Sequence, residues 1–318
     1  MKRRRKDRFH MSENQQKNTD NNPEIGAMVM MDHVNFQTPG HDMATMFFIG
    51  GLGLTRDPYR RADMQNMGIN VGLQQFHLPR RERTAGEGTP PFQGLIGLVH
   101  PDIEGARLRL DSLKEIGALA HTPYRWEEDS KGVLVTSPFG YQLRLHAPGS
   151  LDFEKALGIA YVDVHVPPGT ASRISAFYEK IVGAPVRFSE QGEEPSAIIL
   201  AGPHQEMCFI ERELEDYNTH NMHVSYHVTH YNQLRRELRE HDAVMGEGRG
   251  EVFFFDKIYD PENGDAVFQM QNEVRSIYHP DFMRPLVNRW PMVTEPFSDQ
   301  TLAMKNLADQ LGFMPGTK

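Results

Sequence analysis

The chain has 318 residues, a formal net charge of -9, 39% hydrophobic residues and one cysteine. That acidic balance argues against nucleic-acid or anionic-membrane partners, which are bound through basic surfaces. The lone Cys208 excludes an internal disulfide and fits a reducing compartment. At roughly 100–200 residues per domain, about two domains are expected.

In chain order, the basic cluster Lys2-Arg3-Arg4-Arg5-Lys6 comes first. No apolar run of signal-peptide length follows it, and no stretch reaches the roughly 18 apolar residues of a membrane span. A soluble, cytoplasmic protein is expected, or a nuclear one if the cluster is a targeting signal. Met11 to Pro23 is rich in Asn, Gln, Ser and Asp, so residues 1–27 read as a disordered leader.

The stretch Asp32-His33-Val34-Asn35-Phe36-Gln37 alternates. Val34 and Phe36 point to one side of a strand and His33, Asn35 and Gln37 to the other, which places a histidine-bearing face on a sheet. A short amphipathic helix, His41 to Leu52, stops at Gly50-Gly51. Strands through Arg56 to Leu78 complete a first unit, and the turn-rich run Glu82 to Pro91 is a linker.

Three further units repeat this plan. The second opens with Leu95-Ile96-Gly97-Leu98-Val99, continues with a helix over Ile103 to Ile116, and closes with a hairpin through Val133 to Leu145. After a linker at Ala147 to Lys155, the third opens with Tyr161 to Val166, carries Ala176-Phe177-Tyr178 in a helix ended by Gly183, and closes with Gln205 to Phe209. The fourth opens with His223 to Val228, on which His223, Ser225 and His227 share a face. A helix over Asn232 to Glu240 and a hairpin from Asp260 to Gln271 complete it. The expected boundaries are 28–148 and 157–275 for two domains and 276–318 for a tail, in which Tyr278 to Leu286 reads as an extended strap and Leu302, Leu307 and Leu311 as a final helix.

Asp32-His33-Val34, Ala176-Phe177-Tyr178 with Gly183 beyond, and the Asp260-Pro261 hairpin, set in four strand-helix-strand-strand-strand units, resemble the vicinal oxygen chelate superfamily. That superfamily includes glyoxalase I, extradiol ring-cleaving dioxygenases and fosfomycin- and bleomycin-resistance proteins. The resemblance implies an α+β fold of four βαβββ modules, paired into two cupped, incomplete-barrel mixed sheets. It also implies a divalent metal held by first and last strands. The first-strand ligand positions fall on His33, Leu95, Tyr161 and His223; the last-strand positions fall on His77, Arg144, Cys208 and Gln269, with Gln271 as the alternative to Gln269. No carboxylate stands where the family usually has a Glu.

Two pairings are open. If neighbouring units pair, one set contains Arg144, a cation that repels another cation. If the outer units pair, the metal set is His33, His77, His223 and Gln269, a choice favoured because the plausible ligands segregate into units one and four. Such a site suits Zn, Ni, Fe or Mn. His227 is then the candidate catalytic base, and Asn35 and Gln75 the candidate substrate-orienting amides. The implied activity is that of a metal-dependent lyase or isomerase acting on a small oxygen-rich molecule. The alternatives are a metal-free small-molecule binding or resistance protein and an extradiol-type dioxygenase, the latter disfavoured by the missing carboxylate. A monomer or homodimer is expected.

Three residues read as packing groups. Cys208 lies between Met207 and Phe209, and Trp126 and Trp290 stand singly. No nucleotide-binding glycine loop, Cys-x-x-Cys or His-Glu-x-x-His occurs.

Overall fold

Strand β1 (Met28–Phe36) buries Val34 and Phe36 in the apolar core, as its alternation requires. The structure, a computed structural model, describes residues 26–58, 65–80, 92–190, 194–215, 217, 219 and 222–288. Residues 1–25, the linker 82–91, Trp290 and the expected final helix with Leu302, Leu307 and Leu311 lie outside the described residues.

Unit one is β1, α1 (His41–Ala44) continuing as a π-helical segment (Thr45–Gly51), β2 (Thr55–Arg56), β3 (Asn66–Val71) and β4 (Gln74–Pro79). Unit two is β5 (Gly94–Val99), α2 (Ile103–Glu115), β6 (Arg125–Asp129), β7 (Gly132–Thr136) and β8 (Gln142–His146). Unit three is β9 (Gly158–Val166), α3 (Ala171–Phe177) with a π-helical extension (Tyr178–Val182), β10 (Val186–Ser189), β11 (Ser196–Gly202) and β12 (Gln205–Glu211). Unit four is β13 (Met222–Val228), α4 (Tyr231–Glu240), β14 (Val244–Gly248), β15 (Val252–Tyr259) and β16 (Ala266–Ser276). Gly183 closes the third-unit helix in the left-handed conformation, with φ 71, which a glycine adopts without a Cβ penalty.

The outer units pair. One eight-stranded sheet runs β14-β15-β16-β13-β1-β4-β3-β2 and the other β10-β11-β12-β9-β5-β8-β7-β6. Residues 28–148 and 157–275 therefore each contribute one unit to each sheet. In the outer sheet β1 and β13 run antiparallel, flanked by β4 parallel to β1 and β16 parallel to β13. The register of β1 on β13 slips between Met31, opposite Tyr226, and His33, opposite Ser225, so Asp32 is an extra residue in a β-bulge. A bulge lets two successive residues serve one face of a sheet.

The apolar faces of both sheets and the helices form a continuous core, with Phe36, Phe47, Phe48 and Phe76 in its first half and Phe177, Tyr178, Phe209 and Phe255 in its second. Two buried amides tie the sheets together. Gln205 of the inner sheet accepts from Met31 N (3.1 Å) and donates to Met31 O (3.4 Å) and Ile159 O (3.3 Å). Gln74 of the outer sheet accepts from Ile159 N (3.2 Å).

The inner cup is filled by side chains. Tyr161 lies against Gly97, where an added Cβ would come within 2.1 Å of its ring, and its hydroxyl is hydrogen-bonded to His146 Nε2 (2.9 Å). Leu151 and Phe153, from the connection between the halves, pack with Val99 and Ala160, while Arg144 pairs with Asp129 at 2.5 Å. Cys208 is buried, as expected of a small apolar group. Among the described residues no helix is long and apolar enough to cross a membrane.

Replacing Gln205 by Ala strands the buried N–H of Met31, one residue before the bulge. A loss of about 1–3 kcal/mol is expected. It should appear as a lower urea midpoint at unchanged slope.

Candidate metal centre

Antiparallel pairing of β1 with β13 carries His33 beside His223, with ring centroids 5.6 Å apart. From β16, Glu273 reaches both: its Oε2 lies 3.2 Å from His223 Nε2 and 3.4 Å from His33 Nε2. The three ligand atoms lie within 4.8 Å of one another, and all three residues are buried. Ligands on bonds of about 2.0–2.2 Å around a tetrahedral ion stand roughly 3.3–3.6 Å apart, so these separations suit a shared cation.

The bulge decides what happens on the far side of His33. It turns Asp32 to the same face, where Asp32 Oδ2 accepts from His33 Nδ1 at 2.7 Å. With the proton held on Nδ1, the lone pair of Nε2 faces Glu273 and His223, the arrangement by which carboxylates orient metal-binding imidazoles. Arg275 lies behind the group. Its Nε donates to Glu273 Oε1 (2.6 Å), and its NH1 donates to Asp32 Oδ2 (2.8 Å) and Asp281 Oδ2 (2.9 Å).

Burial alone raises Asp32, but Arg275 and hydrogen bonds from His227 and His33 hold its carboxyl well below the usual carboxylate range. Burial also raises Glu273, and His33, His223 and Arg275 again outweigh it and leave it well below its usual range. Burial lowers His223, an effect that Glu273 only partly offsets.

Two observations fit a cation here. His33 Nε2 and the Ser225 hydroxyl, opposite each other across the β1–β13 pair, are buried without a hydrogen-bond partner. In native interiors such orphaned polar atoms are few. Charge points the same way: Glu273, its carboxyl held well below the usual range, turns Oε2 toward both imidazoles.

No family model matches the sequence, and no curated protein sequence matches it. Solved structures do. Glyoxalase I from Zea mays superposes with a TM-score of 0.53 at 13% identity, covering 80% of this chain and 93% of that one. A variant of the same enzyme gives 0.55 at 12% identity, covering 81% and 96%. A candidate dioxygenase from Bacillus subtilis gives 0.50 at 11% identity, covering 91% and 97%.

This chain has the fold of glyoxalase I.

Within that fold the expected site residues separate into three groups. His33 and His223 converge with Glu273. His77 stacks on His33 with centroids 3.5 Å apart, but its Nε2 is hydrogen-bonded to Gln75 Oε1 (3.1 Å), and it lies outside the converging set. Gln269 is exposed and donates to Asp256 (2.6 Å), which removes it from the cluster. Gln271, its alternative, is half-buried and hydrogen-bonded to His223.

The candidate base and one substrate amide are buried and hydrogen-bonded within the protein. His227 is buried, with Nδ1 against Ser276 O (3.0 Å), Nε2 against Asp32 Oδ1 (3.4 Å) and its ring 5.0 Å from Phe282. Its ring nitrogens are thus both engaged inside the protein. Gln75 is buried too, and its amide nitrogen donates to Asp57 and Asn70, both at 2.6 Å. Asn35 is half-buried, in register between His77 and His223 in the sheet.

Glu273 is the residue that counting along the sequence misses. It pairs with Ser225 as His77 pairs with Asn35, so it fills the place in unit four that His77 fills in unit one. The β15–β16 hairpin has two register shifts, and β16 runs through 11 residues where β8 has 5. An offset carried over from the second-unit hairpin therefore stops short, on Gln269. The available signal was face alternation, since Gln269, Gln271 and Glu273 share one side of a strand.

Acid should destabilise the metal-free protein in two stages. His223, lowered in the fold, loses stability to protonation of the unfolded chain as pH drops below about 6.5; Asp32 and Glu273, also lowered, withdraw theirs below about pH 4. In all three cases the unfolded chain binds more protons, so stability rises with pH. Urea midpoints from pH 3 to 8 should show both stages, and His223→Gln should shrink the upper one.

Proposed function

We propose that the chain is a metal-dependent enzyme that binds a small oxygen-rich molecule at a divalent ion held by His33, His223 and Glu273. The observation that carries this reading is the convergence of one ligand atom each from His33, His223 and Glu273 within 4.8 Å, with His33 Nε2 orphaned in a buried setting. The ion, when bound, supplies Lewis-acid polarisation of a substrate oxygen. The protein supplies the rest. Asp32 fixes the imidazole of His33, Arg275 occupies one oxygen of Glu273 and leaves the other for the ion, and the half-buried Asn35 and Gln271 offer amides to substrate oxygens.

Two imidazoles and one carboxylate are also the set that non-haem iron(II) oxygenases use. Glu273 thus removes the ground on which a ring-cleaving dioxygenase was disfavoured. It equally removes the ground for a metal-free binder, which rested on a missing carboxylate. A lyase or isomerase and a dioxygenase are separated by oxygen uptake: iron-loaded protein that consumes oxygen with a catechol is a dioxygenase, and protein inert to a catechol panel but active on a hydroxy-ketone or hemithioacetal is not.

The purified protein should carry near-stoichiometric divalent metal. Glu273→Ala and His33→Ala should weaken binding by more than the roughly 10–100-fold cost of losing a ligand's supporting partner. Metal at 100 times its Kd should stabilise wild type by about 2.7 kcal/mol. A melting temperature indifferent to both metal and chelator would overturn the reading.

A further inference from the structure

The described part of the tail, residues 277–288, is linked to the candidate centre through two intermediaries, Arg275 and Asp57. On one side Asp281 Oδ2 accepts from Arg275 NH1 (2.9 Å), and the same guanidinium holds Glu273 Oε1 and Asp32 Oδ2. On the other side Arg284 NH2 donates to Asp57 Oδ2 (3.3 Å), and Asp57 accepts from Gln75, whose Oε1 holds His77 against His33. The strap is anchored further along, where Asn70 donates to Val287 O (2.8 Å) and Asn288 pairs with the backbone of Gly72 through both of its amide atoms (3.0 and 2.6 Å). Within the strap Arg284 also reaches Asp281, 3.5 Å from its Oδ1.

We infer that Asp281 and Arg284 are positioning residues for the metal centre, so that metal affinity depends on docking of the strap and not on the sheet alone. This rests on the metal reading above. The geometry gives the reason. Arg275 is buried, and its NH1 is shared between Asp32 and Asp281. Without Asp281 the guanidinium has, among the described residues, Asp32 and Glu273 to draw upon. It is then free to swing toward them and pull Glu273 away from the imidazoles. The strap also lays the half-buried Phe282 against His227, ring centroids 5.0 Å apart, and His227 in turn reaches the Asp32 carboxylate that orients His33. In a low-dielectric setting small displacements of charge change ligand energies strongly.

The test is a Co2+ titration of the chelator-treated full chain, read by affinity and by the visible absorption of the bound ion. Asp281→Asn should weaken Co2+ binding about 10–100-fold and shift the Co2+ bands, because the position of Glu273 changes. Should Asp281→Asn unfold before titration, Arg284→Met leaves the Arg275 clamp in place and should give a smaller loss in the same direction. If Asp281→Asn and Arg284→Met bind with wild-type affinity and spectrum while Glu273→Ala loses Co2+, the inference falls and the metal reading stands. If wild type takes up no Co2+, both fall together.

Discussion

Antiparallel pairing of β1 with β13 is the contact on which the rest depends. It joins the first repeat unit to the fourth, and without it His33 and His223 would belong to separate sheets. Because both strands bury one face in a common core, slipping the pair by one residue would turn every histidine into that core. The register is therefore held by packing of Val34, Phe36, Val224 and Tyr226, and the polar face inherits its geometry from the apolar one.

The bulge at Asp32 is the local departure that makes the polar face useful. A regular strand would send Asp32 and His33 to opposite faces. Instead the carboxylate lies beside the imidazole, and Arg275 binds that carboxylate and Glu273 together. A buried guanidinium among several carboxylates is costly to desolvate and contributes little net stability. Here its effect is directional, since each carboxylate has one oxygen committed to Arg275 and Glu273 presents the other to the histidines. The inner sheet, built from the same repeat, puts Tyr161, Cys208 and Arg144 at the equivalent places and fills its cup with Phe153 and Leu151.

Much of this was legible beforehand. Alternation located the first strands of units one, three and four, and glycine stops such as Gly183 located helix ends. The segregation of His33, His77 and His223 into units one and four pointed to the outer pairing. The site was less legible. Glu273 escaped because a hairpin with irregular register breaks any count made from its turn, and Asp32 escaped because alternation assigns it to the wrong face. His227 and Gln75 are polar residues on the expected face whose hydrogen-bond partners within the protein no sequence window shows.

The amino-acid sequence by itself determined the repeat, the element types and the two histidines, because these follow from periodicity and residue chemistry within short windows. Tertiary structure alone decided which carboxylate meets them, which side the bulge turns Asp32 to, and how the tail is held. Those outcomes depend on register between strands far apart in the chain, and register is fixed by the packing of the whole core, which no local window contains.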